Sequence, residues 1–457
     1  MGKNMQEFLS KCLVFAENPE NSDKESTGLM MVNKSIKNYM VSYEGWFMAL
    51  IGFICMFSVF ASPAVILPLI YGEVMDEFGW TRSEATMVFT YKNIFTAVVS
   101  LFLIGPIVQR FGLRVVIVGS CITVGVGMLA FLFVNSLTTY YIVGSIMGIG
   151  MGGVFVGVGI FISRWFYRNQ GLALGIVLSG TSIGGFIFPI ITAALIDAFG
   201  WRVAVAGISL GIWFIALPLY LWKAKENPSE LDILPEAANT SSDFELIEKI
   251  KAADLGHELY DLLRHPMFWL ASASIFLVAV VDFGMLQHTM LYVERDLGLD
   301  RKLAVFSLSA IFAVSLAGKL CAGWFYDRTS IMGIRIWYLF MSATVLLALS
   351  VQGVLSLAVF AIARGIAHGG FVSEMMIMAK HCFGPRLMNQ VGPIFYGFFV
   401  IGAAVGPMIL SIMYDHFGGY TEGFVLFAGL GALAAGLLLW VRPMYRERLI
   451  AIESRVG

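Results

Sequence analysis

The chain has 457 residues, of which 58% are hydrophobic and 13% are charged, and its mean hydropathy is +0.80. Soluble domains carry about 25% charged residues, so the composition excludes an ordinary soluble protein. The formal net charge of −1 gives no indication of a nucleic-acid partner. The sequence also lacks a phosphate-binding loop, a metal-ligand cluster and a nucleophile motif, which argues against an enzyme and against a bound cofactor.

The apolar residues are concentrated in twelve runs. A transmembrane helix needs about 20 predominantly apolar residues, and backbone polar groups inside lipid must be bonded within the segment. The sequence therefore predicts an all-α integral membrane protein with twelve transmembrane helices. The predicted spans are residues 46–70, 84–109, 113–134, 139–162, 170–194, 201–222, 266–291, 303–325, 332–352, 355–380, 387–413 and 421–441.

A sequence pattern occurs twice in the chain, about 218 residues apart. The matching segments are FGWTRSE (78–84) with LGLDRKL (297–303), GPIVQRFGLR (105–114) with GWFYDR (323–328), and DAFG (197–200) with DHFG (415–418). The repeat predicts two similar halves of six helices each. Because six is an even number, both halves face the same way and are related by an axis along the membrane normal. A binding site between two such halves is the usual plan of a secondary transporter.

The polar segments between the runs define the predicted domain organisation. It consists of an N-terminal tail (1–45), an N-terminal half (46–222), a linker (223–265), a C-terminal half (266–441) and a C-terminal tail (442–457). In the linker, the capping box that begins at Ser242 and ends at Glu245 precedes apolar residues at helical spacing, which predicts a short amphipathic helix on the membrane surface. Pro266 is predicted to open the seventh span.

Lysine and arginine residues are distributed unequally between the predicted loops. Of the 30, 22 fall in the tails and in the loops on the same side, five fall in the opposite loops and three fall within spans. Cytoplasmic loops carry an excess of these residues, so both termini are predicted to be cytoplasmic. The polar N-terminal tail has no cleavable signal peptide. We expect a multi-pass protein of the plasma membrane, with the bacterial inner membrane favoured.

Polar and ionisable residues within the predicted spans are the candidates for function, because charge inside a membrane is costly. They are Lys92 and Asn93 in the second span, Asp282 and His288 in the seventh, Lys319 in the eighth, and Arg364, His368 and Glu374 in the tenth. Arg364 and His368 are four residues apart and therefore share one helix face. Lys92 could instead snorkel to the membrane surface, and His288 is expected to be exposed. For each cation, a structural charge pair is the alternative to substrate binding.

The fourth predicted span is rich in glycine, including Gly144, Gly148 and Gly152. The stretch GIGMGG superficially resembles a dinucleotide-binding loop, but it lies within an apolar run and no strand precedes it. Small residues at four-residue spacing allow membrane helices to approach closely. The pattern therefore predicts close helix packing.

Two loops resemble the signature loop of the major facilitator superfamily, whose pattern is roughly Gly-xxx-Asp-Arg-x-Gly-Arg. The first copy keeps Arg110 and Arg114 but has Gln109 where an acid is usual, and the second copy keeps Asp327 and Arg328. In this family the loop makes cytoplasmic charge contacts that hold one gating state. The resemblance implies that the contact in the N-terminal half is weaker here, or that another acid provides it.

The chain also resembles the monocarboxylate-transporter and oxalate/formate-antiporter branch of that superfamily, over about residues 43–441. The segments that carry this resemblance are YEGW (43–46), RWFYRNQGLALGI (164–176), GTSIGGFIFP (180–189), RGIAHGGF (364–371) and VGPMILSIMYDHFGGY (405–420). The branch places a cationic residue in helix 8 that pairs with the substrate carboxylate, and Lys319 matches that position. In monocarboxylate carriers an aspartate precedes the cation by one turn, whereas Ser315 stands there in this chain.

The repeat and the resemblance together predict a secondary active transporter of a small organic anion, either a mono- or a dicarboxylate, working by proton symport or anion exchange. Lys319 and Arg364 are predicted to bind the substrate, with Lys92 and Asn93 as further binding residues. Two alternatives remain open. One is a carrier of the same superfamily for a drug, an amino acid or a neutral metabolite, and the other is a membrane sensor that does not transport.

The coupling proton requires an ionisable group that can bind and release it within the membrane. Asp282, Glu374 and His368 are the predicted proton carriers, and the neutral form of histidine is readily protonated near physiological pH. Asp282 could replace the acid that is missing from helix 8 by pairing with Lys319 or with Arg364.

Overall fold

The computed structural model describes residues 44–166, 170–226, 259–371 and 374–444. Eleven helices in these ranges are long and apolar enough to cross a membrane, and a shorter apolar helix of 17 residues is the twelfth. The predicted all-helical membrane protein with twelve spans is confirmed. In chain order the helices are α1 Glu44–Phe78, α2 Arg82–Phe111, α3 Leu113–Phe133, α4 Leu137–Trp165, α5 Gln170–Phe199, α6 Trp201–Lys223, α7 Pro266–Asp296, α8 Arg301–Thr329, α9 Ile331–Ala348, α10 Val354–Phe371, α11 Pro385–Phe417 and α12 Thr421–Leu437.

Two shorter helices accompany the spans of the C-terminal half. Leu259–Arg264 precedes α7, and Glu374–Phe383 lies between α10 and α11. The predicted tenth span, 355–380, therefore covers α10 and most of the second short helix. The linker helix predicted after the Ser242 capping box falls largely outside the described residues. Pro266 opens α7 as predicted.

The helices of the two halves break at equivalent positions. Gly79 and Gly298, which follow α1 and α7, have φ values of 70° and 62°, in the left-handed region that glycine adopts without a steric cost. Gly112 follows α2 with a φ of 86°, and Ser330 follows α8 with a φ of 55°. Ser330 is the one residue other than glycine with a positive φ in the described ranges, and its hydroxyl lies 2.9 Å from His381 Nδ1. The sequence repeat thus corresponds to a repeat of backbone conformation.

Glycine contacts hold neighbouring helices together within each half. A Cβ atom added at Gly148 of α4 would lie 2.0 Å from the Lys92 carbonyl oxygen of α2. A Cβ atom added at Gly369 of α10 would lie 2.2 Å from the Ser315 carbonyl oxygen of α8. Only a residue without a side chain permits such backbone approach. The predicted packing role of the α4 glycines is confirmed, and these contacts fix the positions of α2, α8 and α10 around the candidate site.

Candidate functional site

The candidate residues lie at different depths along the helices. The end of the bundle that carries the α1–α2 and α7–α8 turns is called the outer end here, because it is the face predicted to be extracytoplasmic. With a rise of about 1.5 Å per residue, Lys92 in α2 and Arg364 in α10 lie about 15 Å from the outer ends of their helices. Asp282 in α7 and His368 in α10 lie about 21 Å from it, and Lys319 in α8 about 27 Å. The candidates therefore occupy successive levels through the middle of the membrane.

Asp282 organises a buried cluster between α7 and α10. Its Oδ1 lies 2.6 Å from Arg364 Nη2, and its Oδ2 lies 2.7 Å from His368 Nδ1. Arg364 also donates to the Asp282 carbonyl oxygen at 3.0 Å and to Thr344 Oγ1 at 3.3 Å. The side chains of Asp282 and Arg364 are 0% and 1% exposed. The sequence left two partners open for Asp282, and the structure pairs it with Arg364, whose charge it neutralises.

Glu374 is a second buried acid near this cluster. Its side chain is fully buried, and its Oε1 accepts a hydrogen bond from the Tyr338 hydroxyl at 2.6 Å. Its Oε2 has no hydrogen-bond partner within the described residues. A buried carboxylate that lacks a cationic partner is costly, and protonation removes that cost. Glu374 is therefore suited to carry a proton.

Lys319 bridges the two halves of the protein. Its Nζ donates to Thr181 Oγ1 at 3.0 Å and to Ser182 Oγ at 2.7 Å, both on α5 of the N-terminal half. Ser315, which stands at the position of the missing acid, lies 3.0 Å from the same Ser182 hydroxyl. In the part of the chain that the structure describes, no carboxylate lies within ion-pair distance of Lys319. Hydroxyl groups accept two hydrogen bonds from the ammonium but leave its charge uncompensated.

Lys92 is the second of the candidate cations for which the described residues provide no carboxylate partner. It is 1% exposed, and its Nζ lies 4.1 Å from the centre of the Phe89 ring. The alternative that Lys92 snorkels to the surface is wrong, because the side chain is enclosed by protein. The neighbouring Asn93 is also buried, and its Nδ2 has no hydrogen-bond partner in the described ranges. The Phe89 ring packs against Phe283 of the C-terminal half at 5.9 Å between centroids.

Aromatic rings connect Lys92 to the Asp282 cluster. The Phe283 ring lies 6.5 Å from the His368 ring, and Phe312 of α8 lies 5.4 Å from it. Both contacts are edge-to-face, a favourable geometry for aromatic pairs. Apolar rings therefore line the region between Lys92 and His368, and these two residues are the polar groups at its two ends.

The outer ends of the two halves are joined by ion pairs, and we call this layer the outer seam. Arg82 Nη1 lies 2.9 Å from Asp296 Oδ2, and two further pairs accompany it. These further pairs are Arg295 with Asp76 and Arg301 with Glu73. Each pair joins α1 or α2 to α7, or α1 to α8, so the outer seam closes the outer end of the protein.

A second layer, which we call the inner seam, joins the halves closer to the cytoplasmic end. It consists of the Lys319 contacts with Thr181 and Ser182 and of a stack between Phe155 of α4 and Tyr396 of α11. The two rings are 4.4 Å apart with an interplanar angle of 3°. The inner seam contains aromatic and hydroxyl groups, whereas the outer seam contains carboxylates and guanidinium groups.

The prediction that His288 is exposed is wrong, since the residue is 1% exposed. Helix α7 continues to Asp296 instead of ending near residue 291, so His288 lies two turns inside the helix. Its Nδ1 lies 2.7 Å from the Tyr420 hydroxyl, which accepts a hydrogen bond from Arg82 Nη1 at 2.8 Å. His288 therefore supports the outer seam, a role that its position in the sequence did not suggest.

An acid outside the signature loop, Glu226, contacts the loop in which position 109 lacks one. Gln109 and Arg110 are exposed at the end of α2. The Glu226 carboxylate accepts a hydrogen bond from the Arg114 backbone amide at 2.9 Å and lies 3.6 Å from Arg164 Nη1. A carboxylate at the first turn of a helix is stabilised by the helix dipole. Sequence reasoning allowed for another acid but did not locate it, because Glu226 is more than 100 residues away.

The corresponding loop of the C-terminal half ends α8. The guanidinium carbon of Arg328 lies 4.0 Å from the centre of the Trp324 ring, a cation–π contact. The side chain of Asp327 lies outside the part of the chain that the structure describes.

The sequence and the structure were compared with those of known proteins. The family model of the Major Facilitator Superfamily matches residues 48–351, which is two thirds of the chain. An agnestins efflux protein of Paecilomyces divaricatus is 28% identical over 360 residues, covering 76% of this chain and 75% of that protein. Monocarboxylate transporter 13 of Bos taurus is 27% identical over 344 residues, covering 74% and 75%.

A solved structure shares the fold. It is a bacterial homologue of the human lysosomal transporter Spinster in an inward-facing, unoccupied conformation. The TM-score is 0.62 over 91% of this chain and 98% of that chain, with 14% sequence identity. An identity this low carries the architecture and not the substrate.

Proposed function

The chain belongs to the major facilitator superfamily and is a membrane transporter, and we propose that it carries a small organic anion, a mono- or dicarboxylate, by alternating access. The relatives named as monocarboxylate transporters support this substrate class. The observation that carries the proposal is the surroundings of Lys319, a cation at the interface of the halves with two hydroxyl partners and no carboxylate in the described ranges.

A substrate carboxylate supplies the negative charge that Lys319 lacks. The Thr181 and Ser182 hydroxyls are neutral acceptors, whereas a carboxylate adds the attraction of a full negative charge. In this proposal the carboxylate therefore displaces both hydroxyls from Lys319. Those hydroxyls belong to the opposite half, and their displacement breaks a contact of the inner seam. Substrate binding is thereby linked to the movement of one half against the other.

Lys92 and Asn93 bind the second polar group of the substrate from the N-terminal half. The Asn93 amide has an unused donor, and the Lys92 ammonium has an uncompensated charge. The rings of Phe89 and Phe283, which pack against each other, provide an apolar wall for the carbon part of the substrate.

Arg364 differs from the two lysines because Asp282 already neutralises it. In this proposal Arg364 holds Asp282 in place, and substrate contact through its unpartnered Nε is secondary. Asp282, His368 and Glu374 take up and release the coupling proton. A proton on Asp282 weakens its ion pairs with both basic partners, so protonation loosens the contact between α7 and α10.

The orientation follows from the distribution of basic residues. Both termini are proposed to lie in the cytoplasm, with the protein in the plasma membrane. With this orientation the outer seam closes the extracytoplasmic face in the described conformation.

Uptake into liposomes tests the substrate class and the site together. The purified protein is reconstituted with a pH-sensitive dye inside, and small carboxylates are added one at a time. Acidification of the interior that depends on the substrate and is lost in Lys319→Gln supports proton-coupled carboxylate transport. The matched control is Lys302→Gln, the same substitution at an exposed position of the same helix, which we expect to transport normally.

Other outcomes separate the alternatives. Entry of labelled carboxylate only into vesicles preloaded with a second anion indicates exchange instead of symport. Normal uptake by Lys319→Gln refutes the site. If no carboxylate is transported in either format, the substrate is of another class, such as the organic metabolites for which the agnestins efflux protein is named.

A further inference from the structure

An open apolar groove lies on the outside of the C-terminal half, between α8 and α9. It has a volume of about 730 Å³, within the range of small-molecule sites. Its walls include Leu320 and Trp324 of α8 and Ile336, Trp337 and Phe340 of α9. Leu320 and Trp324 are 72% and 60% exposed in the isolated chain. On a transmembrane bundle this surface faces lipid.

Two arginines lie at the cytoplasmic end of this groove. Arg328 is in the last turn of α8 and stacks on the Trp324 wall. Arg335, next to Ile336 in α9, lies about 6 Å from the start of that helix. The groove residues of both helices lie about 6–14 Å from the same end. Two guanidinium groups therefore stand where lipid headgroups begin, and apolar surface stands where acyl chains begin.

The groove is also connected to the candidate site. Trp337 Nε1 donates to the Ala367 carbonyl oxygen at 2.9 Å, one residue before His368. A Cβ atom added at Gly370 of α10 would lie 2.2 Å from the Trp337 ring. Any molecule that packs on the open side of Trp337 consequently supports the part of α10 that carries His368.

We propose that this groove binds an anionic phospholipid of the cytoplasmic leaflet. One acyl chain lies along the apolar walls, and the phosphate lies between Arg328 and Arg335. Guanidinium groups bind phosphate with two parallel hydrogen bonds, and basic sites between membrane helices on the cytoplasmic side recognise anionic headgroups. Charge complementarity at one end of an apolar groove selects a phospholipid over an uncharged hydrophobic molecule.

Photo-crosslinking tests the proposal. The full-length protein is reconstituted with phosphatidylglycerol that carries a photoreactive group in its acyl chain, and the labelled peptides are mapped by mass spectrometry. We expect labelling within residues 320–340, and weaker labelling by the matching phosphatidylcholine probe. Each arginine removed should lower the labelling about fivefold, because a basic side chain near an anionic surface contributes a factor of that size.

Three variants give the test its controls. Arg328→Gln combined with Arg335→Gln should lose the labelling, whereas Arg442→Gln, at an exposed arginine after α12, should keep it. Leu320→Trp fills the groove and leaves both arginines in place, so it should also lose the labelling. Equal labelling by the two probes, unchanged labelling in the double variant, or unchanged labelling in Leu320→Trp each overturns the proposal. Thermal unfolding of each variant is measured alongside. If either the double arginine variant or Leu320→Trp unfolds at a lower temperature than the parent protein, the labelling of the remaining one of these two decides the test.

Discussion

Arg364 and Lys319 lie on adjacent helices of the same half, yet their electrostatic surroundings are opposite. Arg364 is fully buried and paired with Asp282, whereas Lys319 reaches across to the hydroxyls of the other half. Removing one partner of a buried ion pair is strongly destabilising, because the other charge is left uncompensated. From this difference we infer that Arg364 has a structural role and that Lys319 is available to a ligand, because their partners differ.

The largest expected effect on stability comes from breaking the ion pair between Asp282 and Arg364. Asp282→Asn leaves Arg364 buried without a carboxylate, and breaking such a pair costs about 3–5 kcal/mol. We expect a lower midpoint of thermal unfolding and no transport. The double variant Asp282→Asn with Arg364→Gln should recover most of the stability, since neither charge then remains. A double variant no more stable than Asp282→Asn contradicts the structural role of the pair.

The opposite effect on stability is expected for the unpaired Lys92. Lys92→Met removes a buried charge without a carboxylate partner and keeps a side chain of similar length. The variant should be more stable than the parent protein by about 1–2 kcal/mol, because desolvation of the charge no longer opposes folding. Uptake of the substrate should be lost. If Lys92→Met lowers both the stability of the protein and the uptake of the substrate, Lys92 is a structural residue like Arg364.

A smaller effect is expected when the hydroxyl partners of Lys319 are removed. Thr181→Val and Ser182→Ala each delete one of the two hydrogen bonds that Lys319 donates, and such a bond contributes about 1 kcal/mol. Lys319 is then free of competition, so we expect the apparent affinity for the substrate to rise about fivefold for each hydroxyl removed. The measurement is the concentration dependence of initial uptake. Ser179→Ala, at a half-buried hydroxyl one turn before Ser182 in α5 that bonds the Ile176 carbonyl oxygen, is the control and should leave the affinity unchanged.

The smallest effect is expected at the cytoplasmic loop. Glu226→Gln weakens the cap on the Arg114 amide and the pair with Arg164, and charges at helix ends contribute about 0.3–1 kcal/mol. We expect a transport rate changed by less than about fivefold, with a dependence on salt lower than that of the parent protein. Gln109→Glu, which restores the acid typical of the signature loop, should compensate. If Glu226→Gln has no effect at any salt concentration, Glu226 does not replace that acid.

The fold could be predicted from the sequence because the membrane imposes a simple pattern on each span. The site could be predicted only in part, because its contacts join residues that are far apart in the sequence. Each span was readable because lipid requires about 20 apolar residues in a row. The shared face of Arg364 and His368 was readable from their spacing, and both residues contact Asp282. The choice of Arg364 over Lys319 as the partner of Asp282 depends on helix rotation, which periodicity does not give. The roles of Glu226 and Tyr420 depend on contacts between residues more than 100 positions apart.

The glycine contacts have a mechanical consequence. Gly148 and Gly369 bring backbones together so closely that α4 cannot slide past α2, nor α10 past α8, without a clash. We therefore expect the helices of each half to move together as a rigid body. The contacts that change are then those of the outer seam and the inner seam. If one half rotates against the other about an axis at the level of His368, the outer helix ends move by a distance proportional to their distance from that axis. Because Lys319 lies about 6 Å from that level and the outer ends lie about 21 Å from it, a displacement at Lys319 is enlarged about three- to fourfold at the outer helix ends.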